Sequence, residues 1–154
     1  MIARRQFLIA GAALPWLLAG CGRKGDWPDG MAPIVWDRDT CVRCKMVISD
    51  RRFAAQAAGG DRRNVLRFDD VGCLVVWLRD HAADMPWLAA ADTRLWVADV
   101  ANAGERIAWH DPRAAHYVTR TSPMGYNFGA VAHPQAGSVD FATMREHVLA
   151  RGRG

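Results

Sequence analysis

The stretch Cys41-Val42-Arg43-Cys44-Lys45-Met46 gathers the residue types in this sequence best suited to chemistry. Two thiols three positions apart can face one another across a turn. If the chain runs extended from Cys44, Met46 projects on the same side, because side chains two apart share a strand face. Three sulfurs then come within reach of one ion. Thiolates with a thioether form a soft donor set, which selects Cu(I) over harder divalent ions. Arg43 and Lys45 place positive charge beside the thiols and favour the thiolate. A thioether needs no deprotonation, so mixing Cys with Met limits proton release on binding.

Read alone, these residues leave four uses open: a copper site, a redox pair, a small structural disulfide and part of a zinc site. Zinc would want a second cysteine pair or well-spaced histidines, whereas His81, His110, His116, His133 and His147 are scattered singly. A thioredoxin-like pair should open a helix after a strand, whereas the residues that follow, VISDRRFAAQ, look extended. Met46 is equally the kind of residue that fills gaps in a core. Cys73 is most simply a small buried hydrophobe, although a thiol in the first turn of a helix can ionise early. Asp69 and Asp70 could meet a metal or a partner, but capping a helix accounts for Asp70. His81 fits a helix C-terminus, His110 and His116 are weak ligand candidates, and the tryptophans read as packing residues.

The elements that must position this motif follow from pattern. Residues 47–58 read as an extended run ending at the turn Gly59-Gly60-Asp61, and 64–68 as a second strand. Val71, Leu74, Val75 and Leu78 recur at helical spacing behind the Asp69-Asp70 cap, and Pro86 closes that region. Strands are expected over 94–100, 105–109, 116–119 and 126–132, with a bend at Pro123 to Gly125. A helix from about Ser138 carries Phe141, Met144, Val148 and Leu149 on one face. The fold class is α+β, an antiparallel sheet with two helices.

Residues 1–20 read as a cleaved lipoprotein export signal. Arg4-Arg5 precedes a short apolar run, and Leu18-Ala19-Gly20 leads to Cys21, a lipobox whose thiol is the lipidation site. The arginine pair is twin-arginine-like, although Ala3 stands where a hydroxyl residue is usual, so general secretory export stays open. An apolar run of roughly a dozen residues is too short to span a bilayer, which takes about 20. Lipid chains on Cys21 anchor the protein to the membrane on the periplasmic side. Gly22, in place of an aspartate, favours the outer membrane. Residues 21–40, rich in Gly, Pro and charge, read as a flexible tether, 41–150 as the folded domain and 151–154 as a disordered tail. The chain has 20 basic and 16 acidic residues, two of the bases being Arg4 and Arg5. The near-neutral remainder predicts no nucleic-acid partner. Three cysteines beyond Cys21 are too few and odd in number for a disulfide scaffold.

Four ordered blocks carry a more specific signal: CVRCKMVISDRRFAAQ, LRFDDVGCLVVWL, LWVADV and AHYVTRTSPMGYNFGAVA. Together they span most of residues 41–132 and resemble the NosL family of copper-binding lipoproteins. That resemblance implies a fold of two small ββαβ-type units. It implies a Cu(I) metallochaperone, not an enzyme, whose partners are nitrous-oxide reductase and its ABC-type maturation complex. By position it assigns metal-binding roles to Cys41, Cys44 and Met46, and adds Met124 in Ser-Pro-Met-Gly. The expected arrangement has Cys44 and Met46 holding the ion, Cys41 as a third or exchange ligand, and Met124 closing the site. A thiol-disulfide oxidoreductase using Cys41 and Cys44 is the alternative. One residue departs from the family pattern: Lys45 stands where glycine is usual, a substitution that costs about 1 kcal/mol if the turn needs a positive φ.

Overall fold

The computed structural model describes residues 27–104 and 106–151. The export signal, Cys21, the start of the expected tether and the tail from residue 152 lie outside the described residues. Six strands and two helices follow in order: β1 (Ala55–Gly59), β2 (Asn64–Phe68), α1 (Val71–Asp80), β3 (Arg94–Ala98), β4 (Trp109–His110), β5 (His116–Thr119), β6 (Phe128–Val131) and α2 (Phe141–Arg151). A short 3-10 turn, Pro86–Ala89, precedes β3. The α+β class expected from the sequence is the class observed. β1 to β3 with α1 make one ββαβ unit, while the second half is a hairpin, β5–β6, followed by α2 without a closing strand among the described residues.

The larger sheet has the order β2-β1-β3-β4, with antiparallel pairing throughout. Its central strand, β1, is made of Ala55, Gln56, Ala57, Ala58 and Gly59, residues with little intrinsic liking for a strand. Pairing on both edges compensates: Ala55 lies between Phe68 and Val97, and Ala57 between Leu66 and Leu95. The β1–β2 hairpin turns at Gly60, whose φ of 73° suits glycine. The expected run 47–58 does not form one strand. Asp50 accepts from the backbone N–H and the guanidinium of Arg52, and the resulting turn delays β1 to Ala55.

Asp70 caps α1 as expected, its side chain accepting from the Gly72 N–H at 2.8 Å. Val71 to Val76 are all buried, so the first turns of α1 lie in the centre of the molecule. The helix packs on β1 and β2 on one side and on α2 and β6 on the other. The second half docks through Val100, whose N–H donates to the Ala130 carbonyl at 2.8 Å. Gly129 permits that approach, since a β-carbon there would lie 2.5 Å from a Val100 methyl.

Of the expected tether, residues 27–40 belong to the folded domain. Gln56, fully buried, exchanges two 2.8 Å hydrogen bonds with the backbone of Ala32. Trp27 stacks at 6.0 Å on Trp36 and lies 5.6 Å from Trp109. Arg94 and Arg67 donate to the carbonyls of Asp29 and Pro33. The Gly and Pro content sets the backbone path of this segment, but the buried Met31 and Ile34 fix it to the domain. Among the described residues, no helix is long and apolar enough to cross a membrane.

Candidate metal centre

Residues 41–46 fold into a closed turn. The Cys41 N–H donates to the Met46 carbonyl at 2.8 Å, and the Lys45 N–H donates to the Cys41 carbonyl at 3.0 Å. Thr40 and Val47 bridge behind it. Lys45 takes the left-handed conformation, φ 64°, which the departure from glycine in the sequence made a point of interest. Its ammonium group donates to the Val42 carbonyl at 2.6 Å. The Val42 N–H in turn donates to the Arg67 carbonyl, which fastens the turn beside the end of β2.

That attachment brings the turn to the start of α1. Cys41, Cys44, Asp69 and Cys73 each present a donor atom, and the four donors all lie within 4.8 Å of one another. A thiolate sits about 2.3 Å from a bound d10 metal, so sulfurs sharing one ion lie roughly 4 Å apart. The cluster therefore needs only a small contraction to close on an ion. Cys41 and Cys73 are fully buried, and Cys44 is half-buried. The Cys44 thiol donates to Asp69 Oδ1 at 3.2 Å. Arg43 Nη1 stands 4.0 Å from Cys73 Sγ, with its guanidinium carbon 5.9 Å from the centre of the Tyr126 ring.

The thiols differ in acidity. A hydrogen bond from Cys73 outweighs burial at Cys41 and brings its thiol down to about 6. Burial pushes the Cys44 thiol up to about 12. Cys73 is raised strongly, first because it donates to Cys41 and then through burial. The first proton of the Cys41–Cys73 pair therefore leaves easily and the second is held, as expected of coupled sites. A soft cation bonded to both sulfurs would take the place of the retained proton.

The β5–β6 loop is fastened beside the cluster, at the start of α1. Asp70 Oδ2 accepts from Ser122 Oγ at 2.6 Å and from the Met124 N–H at 3.2 Å. Gly72 makes room for Tyr126, since a β-carbon there would sit 2.1 Å from the ring. Met124, partly buried, packs against the core from this loop. Met46 stands 58% exposed on the outside of the turn.

Of the expected donors, the structure thus brings Cys41 and Cys44 together, with Met46 at the rim and Met124 on the facing loop. It adds two residues read chiefly in other ways, Cys73 as a buried hydrophobe and Asp69 beside the cap. The available signal was a thiol in the first turn of a helix, and nothing in its spacing pointed to Cys41. No histidine joins the cluster among the described residues. His81 stacks on Trp77 at 3.8 Å and contacts Asp84, and His110 pairs with Asp99 at 2.7 Å.

The site belongs to the class of thiol-rich centres on α+β scaffolds, with donors from one turn and one helix start. No protein-family model matches the chain, and no curated protein is similar to it in sequence. A solved structure, the copper chaperone NosL from Shewanella denitrificans, is similar to it in fold, with a TM-score of 0.51. The match covers 77% of this chain and 88% of that one at 16% sequence identity, so the likeness is one of fold.

Proposed function

We propose that this chain is a metallochaperone that holds one Cu(I) ion on its thiol cluster and passes it on unchanged. The observation that carries this reading is the meeting of three thiols, with Asp69, within 4.8 Å. Soft, polarisable donors in that number suit Cu(I), which is satisfied by two or three sulfurs. Met46 and Met124, the thioethers that the resemblance adds, stand outside the thiol cluster, the first exposed on the turn and the second on the β5–β6 loop, as contacts for copper in transit and not as ligands of the resting ion. Export, anchoring through lipid on Cys21, and delivery to nitrous-oxide reductase beside its ABC-type complex complete the proposal. These rest on the lipobox and on the sequence resemblance to the NosL family. A fold similar to that of a known copper chaperone supports it.

The oxidoreductase alternative meets a physical objection. Exchange with an external disulfide needs a thiolate that is both formed and reachable. Here the acidic thiol, Cys41, is fully buried, and the more exposed Cys44 is the one held protonated. Zinc is the second reading, and one observation favours it: Asp69 adds the oxygen that makes three sulfurs a tetrahedral set.

The test is an anaerobic titration of the reduced full chain with Cu(I) against a chromophoric chelator, with Zn(II) in parallel. One-to-one binding of Cu(I), lost when all three thiols become serine, is the expected result. Failure to compete for Cu(I) while Zn(II) binds tightly would transfer the site to zinc.

A further inference from the structure

We propose that the cluster divides into a buried two-thiol seat, Cys41 with Cys73, and a rim thiol, Cys44, through which copper enters and leaves. The inference rests on the copper reading above and specifies how that site works. It differs from the expectation from the sequence, in which Cys41 was a third or exchange ligand and Cys73 was most simply a buried hydrophobe.

Three observations lead to it. The first is access: Cys41 and Cys73 are fully buried, whereas Cys44 reaches solvent. An ion arriving from outside meets Cys44 first. The second is orientation. Cys44 is turned toward Asp69 Oδ1 at 3.2 Å, so the carboxylate holds this thiol at the mouth of the site. Asp69 is itself buried, only 3% exposed, and acts here as a positioning residue.

The third is charge. Cu(I) on two thiolates carries −1, or −2 with the Asp69 carboxylate, of which the Arg43 guanidinium, 4.0 Å from Cys73 Sγ, offsets one unit. A third thiolate would bring the total to −3 against that same arginine. Buried charge without compensation is costly. The arginine therefore favours a two-thiolate resting state in which Cys44 remains a neutral thiol hydrogen-bonded to Asp69.

Loading follows by ligand exchange. Copper carried by a sulfur ligand bonds to Cys44 as that thiol gives up its proton to solvent. Cys41 and Cys73 then bond to copper, Cys73 passing its proton to the departing Cys44 sulfur and any proton on Cys41 going to solvent, while the donor's ligand leaves with its bonding pair. Copper stays Cu(I) throughout. Delivery is the reverse, with the acceptor's ligand meeting the ion at Cys44.

The experiment compares the reduced full chain with its Cys44→Ser, Cys73→Ser and Asp69→Asn variants by anaerobic Cu(I) competition and by stopped-flow transfer to a chelator. Cys73→Ser should weaken binding at least 100-fold. Cys44→Ser should keep affinity within about tenfold while slowing both loading and transfer by tenfold or more. Asp69→Asn should also slow transfer, by less. X-ray absorption of the copper-loaded wild type gives a readout independent of any variant's folding, and it should report two sulfurs. Three equivalent sulfurs, or a Cys73→Ser variant that binds as tightly as wild type, would overturn the division of roles and leave the copper reading intact. A wild-type chain that ignores Cu(I) would remove both.

Discussion

Lys45 offers a clean perturbation of the turn that carries two of the thiols. Its φ of 64° places a β-carbon against the following carbonyl, which costs a non-glycine residue about 1–2 kcal/mol. Glycine removes that strain but loses roughly 0.5–1 kcal/mol more backbone entropy on folding. It also gives up the exposed hydrogen bond from the Lys45 ammonium to the Val42 carbonyl, worth about 0.5 kcal/mol in such a setting. The net change for Lys45→Gly thus falls between about 0.5 kcal/mol of destabilisation and about 1 kcal/mol of stabilisation, too small to interpret alone. Lys45→Ala supplies the reference, because it loses the same hydrogen bond and keeps the β-carbon. Glycine should exceed alanine in stability by about 1 kcal/mol, or roughly 4 °C in Tm for a domain of this size. The assay is urea and thermal unfolding of the reduced, metal-free protein, followed by circular dichroism. Alanine as stable as glycine, or more so, would refute the assignment of strain to this residue.

The Gly72→Ala substitution improves helix propensity yet should destabilise by about 1–3 kcal/mol, because the new methyl collides with Tyr126. Urea titration in wild-type and Tyr126→Ala backgrounds separates the effects, and the loss should shrink in the second. Gln56→Ala empties a buried site and strands the part-buried N–H and carbonyl of Ala32, and should cost about 1–3 kcal/mol. Hydrogen exchange at Ala32 should rise more than exchange in β5 and β6. The thiol pair makes stability depend on pH. Cys41 falls to about 6 from an unfolded value near 9.0, so its contribution is complete above pH 9 and is lost as pH falls through 6. Cys73 and Cys44 are raised and oppose it only at higher pH. The Tm of the reduced metal-free chain should therefore climb from pH 6 to 9, and Cys73→Ala, which removes the hydrogen-bond donor, should flatten that climb.

What the sequence revealed was local. The approach of Cys41 to Cys44, the Asp70 cap, the glycine turn after β1 and the strand at 116–119 all depend on residues close together in the chain, and all appear in the structure, whereas the left-handed Lys45 breaks the extended run that was to carry Met46 to the same side. Its failures are tertiary. Asp50 breaks an apparently continuous strand with a side-chain hydrogen bond that alternation of polarity cannot register. Met31 and Ile34 are buried, and with Trp27 and Trp36 they fix to the domain a segment whose composition suggested a tether, because Gly and Pro content describes the backbone's path and not what the side chains touch. Cys73 is the instructive case. Its neighbours in sequence are apolar and helical, and only the docking of the 41–46 turn against β2 reveals that it faces Cys41. Asp69 is hidden in the same way, next to a capping aspartate that supplied a sufficient explanation for the pair.

The donors come from two stretches of chain, and Cys44 and Asp69, for instance, are 25 residues apart. An ion that joins Cys41 to Cys73 consequently acts as a cross-link and closes a loop that holds β1 and β2. Constraining a loop of about 30 residues in the unfolded chain is worth roughly 3–4 kcal/mol by the same entropy that governs a disulfide. In the proposed copper carrier this fastening would differ from a disulfide in being lent, arriving with the cargo and departing with it. Cargo status would then be written into the durability of the fold: the loaded chain should outlast the empty one under limited proteolysis, and the empty one should be cut first around the β1–β2 hairpin.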